Sequence, residues 1–440
     1  MGRICSKKTN HKPEVIPLKK RVYRAVRINK VDIERLKEFT CGKRIVFSVD
    51  AAKIDFYGAF YNEDKKIGLT IRWKSPDEVG LLSCLLTSLD TEIIEVVLEP
   101  TGTYGDAFRE QMEREGHPVY LVSPKRCHDA SEVYDGVPSS HDAKSAAIIG
   151  KLHLEGLSKP WPQKSEQQRR LSAALIMAKV HRKQLDDNTN RLEAQLARHW
   201  PELPMILSLE SASLLGLLAE YGGPMNVQKD QESAYGLLRR VGRSLSHSKQ
   251  QEVVKSAIGS IGVPMIPAEE ESIKALAMEI DRNRVSLREC QKKVRQIMDD
   301  MGQSDGVKEM SKAVGQVTTA ILWVTLGDPA SYESSGAYLK AAGLNLKERS
   351  SGTYKGSLKI TKRGSGQVRQ YLYLAVLRLV QSDVLLRKWY AQKIARDGGK
   401  KGKAIVALMR KLIIGLWRVG RDGTPFDTQK LFDETRLLKA

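Results

Sequence analysis

Hydrophobic and polar positions divide the chain into stretches of different period. Between residues 44 and 123, RIVFSVD (44–50), IDFYGAFYN (54–62), IGLTIRW (67–73), IIEVVLE (93–99) and PVYLVS (118–123) are β-branched and aromatic runs bounded by turn residues. They predict five strands. PDEVGLLSCLLTSL (76–89), YGDAFREQMERE (104–115) and HDAKSAAIIGKLHLEG (141–156) carry the longer helical period. Three consecutive strands followed by alternating helices and strands predict an α/β domain over 44–160.

KPWPQ (159–163) reads as a hinge, after which the pattern becomes helical. Residues 165–200 and 268–301 are long, charged and apolar at helical spacing, and predict two helices able to pair as an antiparallel, coiled-coil arm. The Gly/Ser-punctuated stretch between them, 202–265, predicts short helices. Residues 311–328 predict a helical turn leading into an apolar helix, and AYLKAAGL (337–344) follows. A Gly/Ser/Lys-rich loop (345–366), a long helix (367–383) and a basic amphipathic helix (399–421) complete the pattern. The expected organisation is a basic arm (1–43), an α/β domain (44–160), a helical linker with an insertion (161–306) and a basic, mainly helical domain (307–440).

Charge adds a partner class. Residues 1–44 hold 14 Lys and Arg against 4 Asp and Glu, and residues 336–440 hold 23 against 7, so the stretch between them is at −6 in a chain of net charge +20. Two basic ends around a mildly acidic middle predict a polyanion, nucleic acid above all. The five cysteines form no CxxC pair, and the eight histidines show no HExxH spacing. This argues against a disulfide framework or a zinc site, and fits a reducing cytoplasm. With no apolar run of membrane length and no signal-peptide core, a cytoplasmic protein without membrane partners is expected.

Candidate chemistry lies at two places. Asp50 and Glu99 each close a β-branched run, and Asp142 opens a predicted helix in SSHDAKSAAIIG (139–150). Three carboxylates crowded at one sheet edge need a cation, which points to Mg²⁺ or Mn²⁺ acting on phosphate. Asp55 and Asp106 are neighbouring acids with simpler expected jobs at a turn and a helix cap, while Asp135 lies in a loop and could swing in. The second place is RSSGTYKG (349–356), followed by KITKRG (359–364). Arg349, Lys355, Lys359, Lys362, Arg363 and Arg369 make it a phosphate-gripping loop, and a hydroxyl there becomes a nucleophile only with help from base or charge.

Together these motifs resemble the DEDD-type insertion-sequence transposases described as bridge-RNA-guided serine recombinases, relatives of the Piv-type DNA invertases. VFSVDAAK, VLEPTGTYG and HDAKSAAIIGKLHLEGLSKPW resemble the family's three acidic blocks. VGQVTTAILWVTLGDP, KAAGL, SSGTYKG and ITKRGSGQVRQYLYLAV follow its C-terminal block in order. The resemblance covers about 44–165 and 307–385.

It implies a RuvC-like domain of ribonuclease H fold, with Asp50, Glu99 and Asp142 holding metal and Ser351 as the nucleophile that forms a phosphoserine link to DNA. It further implies donor and target DNA, a structured noncoding guide RNA, and a homo-oligomer of dimer to tetramer built through the helical arm. The chain departs from the family's DxxDA at Ser145, where a fourth acid is expected, so that Ser145 would hold only a metal-linked water. Ala313 replaces a frequent turn glycine, and Ser350 is the adjacent alternative to Ser351. Tyr354, Tyr371, Tyr373 and Trp389 are candidates for stacking on bases. The alternatives are a RuvC-like metal-dependent nuclease and an inactive nucleic-acid-binding relative.

Overall fold

The computed structural model describes residues 24–432 apart from 101, 138–140, 243–244, 302–303, 349, 352–353 and 357. Two compact units divide at Gln163 and Lys164. No helix among the described residues is long and apolar enough to cross a membrane.

The first unit is a mixed α/β layer structure. Its elements are β1 (Val26–Arg27), α1 (Ile33–Thr40), β2 (Lys43–Ala51), β3 (Asp55–Asn62), β4 (Ile67–Lys74), α2 (Val79–Thr87), β5 (Thr91–Leu98), α3 (Asp106–Arg114), β6 (Val119–Val122), α4 (Pro124–Asp129), α5 (Asp142–Leu154) and β7 (Ser158–Pro160). The five expected strands are all present, and all three expected helices form with ends shortened by a few residues. Residues 24–40, expected within a basic arm, instead carry β1 and α1; β1 pairs with β4 and forms the edge of the sheet, and Leu36 is buried. Residues 1–23 of that arm lie outside the described residues.

The strands form one seven-stranded sheet in the order β1-β4-β3-β2-β5-β6-β7. β2, β3 and β4 are an antiparallel meander, while β5 runs parallel to β2 and β6 parallel to β5. Alternation along the strands loads both faces. Ile45, Phe47, Val49, Phe56, Phe60 and Trp73 pack with Leu82, Leu86, Phe108 and Met112 on one side. Val46, Ala59, Tyr61 and Val97 pack with Ala146, Ala147, Ile149 and Leu152 of α5 on the other.

α5 sits close on the sheet because its inner face is small. Ala143, Ala146, Ala147 and Gly150 are buried there. The Ser48 hydroxyl donates to the Ala146 carbonyl at 2.7 Å, and the Tyr61 hydroxyl to the Ala147 carbonyl at 2.8 Å. A methyl group added at Gly150 would stand 2.5 Å from the Tyr61 ring and 2.7 Å from Ser48 Oγ.

The second unit is mostly helical. α6 (Glu166–His199) is followed by α7 (Leu203–Ile206), α8 (Ala212–Tyr221), α9 (Pro224–Lys229), α10 (Gln231–Val241), α11 (His247–Ile258) and α12 (Pro267–Asp300). Then come α13 (Asp305–Val314), α14 (Gln316–Leu326), α15 (Ser335–Ala341), β8 (Leu346–Lys347), β9 (Ser350–Ser351), β10 (Tyr354–Lys355), β11 (Lys359–Ile360), α16 (Gly366–Ser382), α17 (Val384–Arg396) and α18 (Lys401–Asp422).

α6 and α12, each 34 residues and so about 50 Å long, pair along their length. Buried positions step by threes, fours and sevens through Leu171, Leu175, Ala178, Leu185, Leu192 and Leu196 on α6, and through Ile273, Ala277, Ile280, Leu287, Val294 and Met298 on α12. Arg198 meets Glu269 and His181 meets Asn283, so the pair is antiparallel. α7–α11 close one core at the far end, and α13–α18 close another at the near end.

The tight seat of α5 gives a stability prediction. Gly150→Ala is expected to lower the unfolding free energy by about 1–3 kcal/mol, the range for overpacking a filled core, when measured by urea denaturation. Unchanged stability would show that helix and sheet separate freely.

Candidate functional site

The sheet register brings two of the acids together. Val49 on β2 pairs with Leu98 on β5, so Asp50 and Glu99 come next on neighbouring parallel strands, about 5 Å apart in backbone. Because side chains alternate, they share the face of Ser48 and Val97, which is the face α5 covers. Asp142 is the first residue of α5, whose N-terminal end accommodates negative charge. The His141 ring caps the same end by accepting from the Lys144 backbone N–H at 3.3 Å.

Asp50 registers this surrounding most strongly. Burial, foremost, and the charges of Asp142 and Glu99 together push its pKa up to about 6, while Ser145 works in the opposite direction. Ser145, at the position of the expected fourth acid, lies one turn into α5. Burial, foremost, and the neighbouring Glu99 carboxylate push up the pKa of the Cys127 thiol on α4. The carboxylates act on one another through their fields; no group of three or more His, Cys, Asp and Glu among the described residues is drawn in tightly enough to hold a metal as it stands.

The other acids take separate jobs. Asp55 opens β3 opposite Lys74, and Asp106 pairs with the buried Arg109. Asp135 accepts from Lys144 Nζ at 2.9 Å, and Val137 O accepts from the same ammonium at 2.6 Å. Lys144 is buried, so its charge depends on this pairing.

Toward the other end of α5, Glu95 holds a second network on the same sheet face. His153 Nε2 lies 3.0 Å from Glu95 Oε2, and Arg44 donates to the same oxygen at 2.6 Å. Ser158 Oγ is 2.7 Å from His153 Nδ1. Burial opposes ionisation of Glu95, but hydrogen bonds from His153 and Arg44 prevail and hold its pKa below the usual value. Cys127, Lys144 and Glu95 were not legible as site neighbours. Cys127 lies on a short helix without periodic signal, and the other two stand inside ordinary helix and strand patterns.

The serine loop belongs to the second unit. Ser351 is exposed on β9, which pairs antiparallel with β10, with Tyr354 opposite Ser351 and Lys355 opposite Ser350. A second short ladder joins β8 and β11. Its base is a backbone-on-backbone contact between AGL and KRG. Gly343 has φ +70° and Gly364 φ +109°, and a methyl group added to either would stand 2.1 Å from Arg363 O or 2.4 Å from Ala341 O. Only glycine fits both demands.

Lys362, at φ +56°, turns the chain beside them and donates its backbone N–H to Gly343 O at 3.1 Å. Lys359, Lys362 and Arg363 are exposed, and Arg369 donates to Gly364 O at 3.1 Å. Arg349 lies outside the described residues, as do the side chains of Lys355 and Tyr354. Among the proposed stacking residues, Tyr373 is 43% exposed, whereas Tyr371 and Trp389 pack against the near-end core.

The raised Asp50 pKa fixes a sign. The folded state retains this proton to about pH 6 and the unfolded chain only to about 3.9, so stability falls as pH rises between those values and stays lowest above them. With chelator present at pH 7.5, Asp50→Asn is expected to be about 2 kcal/mol more stable than the wild type, and the difference should vanish near pH 4 in urea titrations. A variant less stable than the wild type at pH 7.5 would contradict this electrostatic picture.

With this geometry in place, comparison with known proteins locates the chain. Residues 309–391, the segment from α13 into α17 that includes the serine loop, match the transposase IS116/IS110/IS902 family. Over 245 residues, 55% of the chain, it is 24% identical to a Streptomyces coelicolor protein described as the insertion element IS110 uncharacterized 43.6 kDa protein, and it spans 60% of that relative's length. The likeness is thus to insertion-element proteins, and over 309–391 to a transposase family.

Proposed function

We propose that this protein is a DNA recombinase that moves an insertion element, cutting and rejoining donor and target DNA through a phosphoserine intermediate. The observation that carries the reading is the convergence of Asp50, Glu99 and Asp142 at one sheet edge in a chain whose serine loop lies within a transposase-family segment. The strand order, a three-stranded meander continued by two parallel strands, is the one expected of a RuvC-like, ribonuclease-H-type sheet and supports assigning that fold to the first unit.

In this scheme Asp50, Glu99 and Asp142 hold Mg²⁺ or Mn²⁺, which when bound neutralises charge on the phosphate oxygens. The Ser351 oxygen gives up its proton and attacks phosphorus. The phosphorus–sugar oxygen bond breaks, and the departing sugar oxygen takes up a proton. Attack by the hydroxyl of another strand reverses the step and frees the serine, so bond energy is conserved across the exchange. Lys359, Lys362, Arg363 and Arg369 grip backbone phosphates, with Arg349 and Lys355 as further candidates from the sequence.

Sequence choice belongs to a structured guide RNA paired with donor and target, which leaves the protein to read backbone and shape. Assembly as a dimer to tetramer through the long helical arm completes the reading, and its place is the prokaryotic cytoplasm, at the nucleoid. Ser145 is the reason an inactive relative stays among the outcomes to test.

The test is covalent capture. Purified protein, RNA transcribed from the element's flank, donor and target DNA and Mg²⁺ are combined and resolved on a denaturing gel. A protein–DNA adduct is expected from the wild type, reduced at least about 100-fold in Ser351→Ala and in Asp142→Ala, the scale of losing a nucleophile or an electrostatic stabiliser. Strand cleavage without an adduct, unaffected by Ser351→Ala, would identify a metal-dependent nuclease instead. DNA binding that is indifferent to Asp50→Ala, without cleavage by any divalent cation, would identify an inactive binder.

A further inference from the structure

At the far end of the arm, outside the segment matched by the family, the last turn of α6 meets the loop 259–266 that leads into α12. This loop is fastened through its backbone. Val263 donates its N–H to Arg198 O at 2.9 Å, and the Glu202 carboxylate accepts from the Ile261 N–H and the Ser260 hydroxyl, each at 2.9 Å. Gly262 lies so close to α6 that an added methyl group would stand 2.0 Å from His199 O. A loop tied at these points holds its side chains where they are. It presents Ile261 at 86% exposure, with Val263 and Ile266 also exposed.

Beside the loop is a cavity of about 150 Å³, whose lining includes His199, Met225, Ile258, Val263, Met265 and Glu270. His199 is 1% exposed. Its Nδ1 is 2.9 Å from Val263 O, and a carbonyl only accepts, so Nδ1 carries a hydrogen. In the neutral ring Nε2 then bears a lone pair, and it has no hydrogen-bond partner among the described residues. Glu269 Oε1, 3.7 Å away, is too distant for a hydrogen bond and is itself an acceptor. A buried acceptor without a donor is costly, and native structures leave few of them without a use.

These features specify an occupant. The cavity has the size that admits an aromatic ring, and its one orphaned acceptor asks for an N–H or O–H. Trp and Tyr side chains combine ring and donor, and they are the residues that anchor protein interfaces in pockets. The exposed Ile261 and Ile266 extend the apolar surface past what a single ring covers, which favours a polypeptide over a free aromatic molecule. We propose that this end of the arm is a docking site for a protein partner that inserts a Trp or Tyr side chain into the cavity and donates its N–H or O–H to His199 Nε2.

The experiment compares indole with benzofuran, the same shape with and without an N–H. Each is titrated against the full chain and followed by the nitrogen shifts of isotope-labelled histidine, with His199→Gln assigning the signal. Indole is expected to bind at least about 10-fold tighter than benzofuran and to move the His199 Nε2 resonance. Equal affinities, tighter benzofuran or no binding of either would overturn the proposal.

A second comparison tests the partner class. A short capped peptide with tryptophan flanked by leucines is expected to bind about 10-fold tighter than N-acetyltryptophanamide, because it also covers the exposed isoleucines. Ile261→Ser, at a position too exposed to matter for folding, is expected to remove most of that gain at an unchanged unfolding temperature. A peptide that binds no better than the capped amino acid would make the ligand a free aromatic molecule and overturn the protein partner.

Discussion

The close seating of α5 on β2 and β3 governs the first unit. Two buried hydroxyls, from Ser48 and Tyr61, reach carbonyls on successive residues of the helix, and a face of alanines and one glycine lets the backbone come near enough to receive them. Hydrogen bonds of this kind contribute about 1 kcal/mol each, but both are sealed from water, so losing either partner would cost the full desolvation of the other. They fix the helix in register as well as in distance. That register puts Asp142 and Ser145 above the edge where β2 and β5 end, which makes the acidic site a consequence of packing rather than of a flexible loop.

The same helix is also held at its other end. His153 joins Glu95, Arg44 and Ser158 in a largely buried network, and the burial that would disfavour the Glu95 charge is offset by two cationic or hydrogen-bonding partners. The two ends contrast. Around Glu95 the carboxylate is satisfied, and its pKa falls; around Asp50 the nearest charges are carboxylates, and its pKa rises. A concentration of negative charge is a local cost of the kind functional sites carry while the surrounding fold supplies stability.

The second unit follows different physics. Its arm is a repetitive seam of apolar side chains interrupted by a polar pair, His181 with Asn283, which favours one alignment of the two helices over slipped ones. The serine loop is set by glycines. AGL and KRG meet backbone to backbone, beside a short ladder that carries the exposed Lys347 and Lys359. The family match covers this region, and Ser351 is exposed there, as the proposed recombinase reading requires of its nucleophile.

Local physics made much of this legible from the sequence alone. β-branched runs ending in Asp50 and Glu99 announced strands that terminate in carboxylates, and apolar positions stepping by threes and fours announced α6 and α12. The basic segregation of the two ends and the glycine spacing of the serine loop were equally plain. Residues 24–40 were read as part of an arm because β1 is two residues long and α1 buries little of its surface, too little to leave a pattern.

Tertiary structure decided the rest. Whether Asp50 faces Glu99 depends on the β2–β5 register, and a slip of one residue would put one of them on the opposite face. That Lys144 turns to Asp135 and His153 to Glu95 depends on contacts between side chains that ordinary helical periodicity does not distinguish from their neighbours. Periodicity reports which face of an element is buried, and only the packed structure reports what that face meets.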